Sequence, residues 1–75
     1  MSERAAKLHG TFVAEFGEEL DDALELFETL VAEYPGANNQ EITDFVMEAV
    51  IENNDEIPHI DDVVADFAFS WGRKV

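Results

Sequence analysis

Apolar residues recur at helical spacing along the whole chain. Leu8, Phe12, Val13 and Phe16 follow i, i+4, i+5, i+8, with Ala5 and His9 on or beside the same face, which predicts a first helix. Ser2 is its expected N-cap. Gly10 should interrupt and weaken it, and Gly17 should end or kink it. A second helix is predicted from about Glu18 to Tyr34, with a stripe of Leu20, Ala23, Leu24, Phe27, Leu30, Val31 and Tyr34. Glu18, Glu19, Asp21 and Asp22 crowd its expected first turn, where the helix dipole favours negative charge, and Pro35-Gly36 should stop it. The two apolar patterns nearly join, so one continuous helix through Gly17 is the alternative.

The third helix has the clearest start. Asn38 precedes Glu41 by three residues, an Asn version of the capping box, and Ile42, Phe45, Val46, Ala49 and Val50 form the stripe that follows. It is expected to fray into Asn53-Asn54. A fourth helix should begin between Pro58 and Asp61, bury Ile60, Val63, Val64, Phe67, Ala68 and Trp71, and stop at Gly72. Arg73 and Lys74 would then sit where cations suit the dipole. No strand signal, internal repeat or low-complexity segment is present. The fold class is therefore all-α, a small three- to four-helix bundle in which residues 1–75 form a single acidic helical domain. Leu26, Met47, Ile51 and Phe69 fall off the main stripes. Each is expected in the core, as a second buried face; exposed together, they would form an apolar seam for self-association.

Composition makes this chain a folded domain. Of its 75 residues 47% are hydrophobic, among them six Phe and one Trp, which disordered acidic tails lack. There is no Cys, which excludes disulfides and thiolate metal sites. No long apolar run marks a signal peptide or a membrane span, so the expectation is a soluble cytoplasmic protein.

Charge changes the picture most. Between Leu8 and Gly72 there is no Lys and no Arg, whereas every one of the 18 acidic residues except Glu3 lies in that stretch. The formal net charge is −14. Such a surface repels itself and calls for a basic partner, bound cations or a high-salt habitat. Direct nucleic-acid binding is disfavoured because it needs a basic footprint, and anionic lipid would repel these faces.

The acids are ordered. Glu41, Asp44, Glu48 and Glu52 follow i, i+3, i+7, i+11 on the third predicted helix, one carboxylate per turn, roughly 5–6 Å apart. Glu18, Asp22, Glu25 and Glu28 make a second, broader strip together with Asp21. A row of closely spaced negative charges is what a nucleic-acid backbone presents to its binders. The leading expectation is thus a non-enzymatic interaction protein whose acidic helical faces bind a basic partner, the expected target being a nucleic-acid-binding protein. In character, though by no motif, the chain is similar to small phage-encoded inhibitors such as anti-CRISPR proteins, which would make it a nucleic-acid mimic. The alternative is a small assembly protein that forms a homodimer through the off-stripe apolar residues, its charge serving solubility or high-salt adaptation.

Other chemistries fit less well. At this length, acidic and four-helical, with Glu56-Ile57-Pro58 between its last two helices, the chain superficially resembles an acyl carrier protein. That activity needs a Ser at the start of the second helix, and the only Ser residues are Ser2 and Ser70, so only the architecture carries over. Leu20 to Pro35 resembles the second helix of a tetratricopeptide unit through Ala23, Phe27 and Pro35, without the matching first helix. The acidic loop around Asn53 to Asp62 lacks the Gly and the alternate ligands of a calcium hand, so no metal or cofactor is expected. His9 reads as a partly buried, hydrogen-bonded residue and His59 as part of a turn or helix start. With no central Ser or Cys there is no nucleophile for them to serve, and no catalytic residue is assigned.

Overall fold

The apolar periodicity is realised as four helices: α1 (Glu3–Phe16), α2 (Ala23–Glu33), α3 (Asn39–Glu52) and α4 (Ile60–Lys74). The structure is a computed structural model that describes residues 3–57 and 59–74, with side chains as far as Gly72. The expected N-cap Ser2 lies outside the described residues, as does Pro58, the first residue of the range expected to begin the fourth helix. α1 packs on α2 and α3, and α4 packs on the same two helices, so α2 and α3 occupy opposite flanks of the bundle. Its extents are 32 × 27 × 18 Å.

Each helix supplies its stripe to one core. Phe12 of α1, Leu26, Phe27 and Leu30 of α2, and Ile42, Val46 and Val50 of α3 are fully buried, and α4 adds Val63 and Phe67. The Phe12 ring stacks on Phe16 and meets Phe27 edge-on at 5.8 Å, a geometry worth about 0.5–1.5 kcal/mol beyond its area. A second aromatic series, Trp71–Tyr34–Phe67–Phe45, runs through successive contacts of 5.2–5.6 Å from the far end of α4 to α3.

Several boundaries differ from the sequence expectation. α1 runs straight through Gly10, where the backbone faces open space. A single glycine costs about 1 kcal/mol in a helix, less than the burial of Leu8 and Phe12 returns. α1 ends at Gly17, whose φ of +87° only glycine adopts readily, and its N–H bonds Val13 O at 2.8 Å. There is thus no continuous helix through Gly17. Nor does α2 begin at Glu18: residues 18–22 form a connection closed by a turn in which Ala23 N–H bonds Leu20 O at 3.1 Å. Leu20 still packs against the core from this connection. The buried face of α2 is Ala23, Leu26, Phe27 and Leu30, so the off-stripe Leu26 is core, whereas Leu24 and Val31 are only half-buried. α4 passes through Gly72 to Lys74, because Gly72 does not take the left-handed conformation of a helix stop.

Local chemistry fixes the remaining ends. Asn38 Oδ1 accepts the Glu41 N–H at 2.8 Å, as the capping pattern predicts, and Asn38 Nδ2 donates to Glu41 Oε1 at 3.2 Å. α3 closes with Asn54 and Asp55 both at positive φ, and Asp55 N–H reaches back to Val50 O at 2.8 Å, the long bond of a Schellman-type cap. Arg4 braces the bundle from α1. Its Nε donates to Asn39 Oδ1 at 2.6 Å, and its two terminal nitrogens donate to the carbonyls of Pro35 and Ala37.

Candidate functional site

The helical period sets Glu41, Asp44, Glu48 and Glu52 on one side of α3, away from Ile42, Val46 and Val50. Asp44, Glu48 and Glu52 are exposed and Glu41 is half-buried. The row divides into two pairs. Glu41 is tied to Asn38, and Asp44 Oδ1 accepts from Gln40 Nε2 at 2.8 Å, so both carboxylates at the start of α3 already hold neutral amide donors. Glu48 and Glu52 instead line a groove of about 650 Å³ between α3 and α4.

Across that groove stand Asp62 and Asp66 of α4. Each wall thus carries two carboxylates at i, i+4, about 6 Å apart along its helix. Phe45, Ala49 and Val63 form apolar parts of the lining, and Phe69, 66% exposed, stands at the edge. Among the described residues, no Lys or Arg lines the groove. Four carboxylates around an apolar floor can accept charge-assisted hydrogen bonds from guanidinium or ammonium groups while an apolar side chain enters between them. The sequence shows the i, i+4 acids of α4, but only the packing of α4 on α3 reveals which carboxylates they face.

The second predicted strip does not join this face. Glu18 lies in the connection before α2, and Asp22 takes the N-cap position with no side-chain cap bond. Glu25 is exposed in the first turn of α2, and Glu28 is half-buried. Asp22 and Glu25 share a shallow depression with Thr29, His59 and Asp61, on the other flank of α4. The strip fails as a helical row because Gly17 and the turn at Leu20 keep its first members out of the helix.

Of the off-stripe apolar residues, Leu26 is buried, Met47 packs half-buried against the core, and Ile51 and Phe69 are exposed at 60% and 66%. His9 is half-buried, as expected, with its ring 6.4 Å from that of Phe27, and its Nε2 has no hydrogen-bond partner. Among the described residues, no group of three or more His, Asp or Glu side chains is placed to hold a metal ion, and no helix is long and apolar enough to cross a membrane. No family model matches the chain, and no curated protein or solved structure does so either.

Proposed function

We propose that this protein is a non-enzymatic interaction module whose acidic α3–α4 face binds a basic surface on a nucleic-acid-binding protein, in the place a nucleic-acid backbone would take. One observation carries the reading. Glu48 and Glu52 stand opposite Asp62 and Asp66 at one-turn spacing, within a stretch of chain that has no Lys or Arg to neutralise them. Ordinary helices offset such acids with i, i+4 ion pairs. Here the charge is left for a partner, which it would steer into encounter and hold by salt-sensitive contacts. Glu41 and Asp44 extend the row toward the start of α3, and the Asp22–Glu25 side adds long-range attraction rather than a shared contact face.

The test is reversal of charge at exposed positions. Asp44→Lys with Glu48→Lys should leave the far-UV circular dichroism helical and abolish capture of the partner on immobilised protein, with a charge-matched acidic peptide as the control matrix. Retention of the same basic nucleic-acid-binding protein by the doubly reversed variant would remove α3 from the interface.

A further inference from the structure

Charge alone does not account for the α3–α4 groove. A surface built only to imitate phosphates has no use for an apolar floor, yet Phe45, Ala49 and Val63 line this one and Phe69 stands exposed at its edge. The lining runs from Phe45 on α3 to Asn53 at its C-cap and from Asp62 to Ser70 on α4, about 12 Å or two helical turns along each wall. We infer that the groove receives one amphipathic, cationic helix of the partner, which seats a single large aliphatic side chain against Phe45, Ala49 and Phe69 and sets Arg or Lys residues one turn to either side against Glu48–Glu52 and Asp62–Asp66.

Charge complementarity selects this occupant. A second copy of the chain would bring another net −14 against the same four carboxylates, and like charges across an interface repel. An extended basic segment could satisfy the carboxylates, but its side chains alternate between two faces and do not repeat at one-turn spacing. A helix presents side chains at i and i+4 on one face, matching the i, i+4 acids of each wall. The apolar anchor then supplies a contribution that salt does not screen, as large side chains do at the centre of protein interfaces.

This assignment rests on the acidic-face reading, and the experiment separates the two. Three peptides of about 15 residues would be titrated into the full chain at low and high salt, that length being the minimum for a helix in isolation. The first is a helical peptide with a central Leu flanked by Arg at one-turn spacing. The second is the same peptide with Ala for Leu, and the third a flexible Lys-Gly peptide of equal charge. The expected result is binding of the Leu peptide at least about tenfold tighter than the other two. That preference should persist at high salt and be lost in Phe69→Ala, with Asp66→Lys weakening all three peptides at low salt. Circular dichroism checks that both variants fold. Equal affinity for the three peptides would overturn the groove assignment and leave the charge reading standing. Failure to bind any of them at low salt would overturn both. A dimer in sedimentation that Phe69→Ala dissociates would put a second copy in the groove and overturn the assignment as well.

Discussion

Arg4→Met tests whether the brace between α1 and the α2–α3 connection acts through its hydrogen bonds or through its charge. Methionine keeps most of the aliphatic stem and removes three donors, those to Asn39 Oδ1, Pro35 O and Ala37 O. A hydrogen bond from a charged donor contributes roughly 1.5–3 kcal/mol. The contacts to Asn39 and Pro35 are exposed, so water replaces them cheaply, and only the part-buried one to Ala37 O should approach the full value. The expected loss is therefore about 2 kcal/mol, or a fall in Tm on the order of 10 °C for a domain of this size. The rival account is electrostatic, since any cation on so acidic a chain offsets self-repulsion. Lys7→Met makes the same change in net charge at an exposed position one turn further along α1 and is the matched control. Thermal melts followed at 222 nm in dilute buffer and in about 1 M KCl, where the Debye length falls to about 3 Å, separate the two accounts. The hydrogen-bond account requires Arg4→Met to cost clearly more than Lys7→Met, and the excess to survive in high salt. Equal losses that both vanish in salt would refute it.

Gly10→Ala should raise stability by about 0.5–1 kcal/mol, because the position is helical and an added Cβ meets nothing within 4 Å; no rise in the denaturation midpoint would mean that the backbone there is not helical in solution. Asn54→Gly should stabilise by up to about 1 kcal/mol by relieving a left-handed residue at the α3 cap, read in the same urea titration. Phe12→Ala should cost about 3–5 kcal/mol and broaden or abolish the thermal transition, since its ring is fully buried between Phe16 and Phe27. In dilute buffer the chain should remain helical by circular dichroism and gain Tm as KCl is added. A bundle that melts outright at low salt would point to high-salt adaptation instead, because a Debye length of about 30 Å at 0.01 M lets its carboxylates repel across most of the molecule.

Four helices and most of their buried faces were legible because each stripe repeats at helical spacing. The start of α3 could be placed to the residue because Asn38 and Glu41 cap it through contacts three residues apart. The start of α2 could not. Leu20 and Ala23 are also three apart, but here that spacing closes a turn, since Gly17 has already sent the chain into a left-handed conformation. Leu26 falls off the stripe that begins at Leu20; with the helix starting at Ala23 and covered by α1 and α4, the buried face turns toward Leu26. At the candidate site, the α3 row was readable from its own period. The facing acids Asp62 and Asp66, the apolar floor and Phe69 depend on which helix lies beside which. That relation holds between residues ten or more positions apart, and no local pattern encodes it.

The thin packing of α4 has a consequence for how this molecule breathes. Among the described residues it places only Val63 and Phe67 in the buried core, with Ile60, Val64 and Trp71 half-buried, while α1, α2, α3 and Ala37 of the α2–α3 connection supply the rest. Few buried contacts mean a low free energy of local opening, so the amides of α4 should exchange with deuterium sooner than those of α1 or α3. The wall that carries Asp62 and Asp66 is then the part of the bundle most easily lifted away. A ligand bridging α3 and α4 would hold it down, and slowed exchange along α4 would register an occupant of the groove even where the other helices stay unchanged.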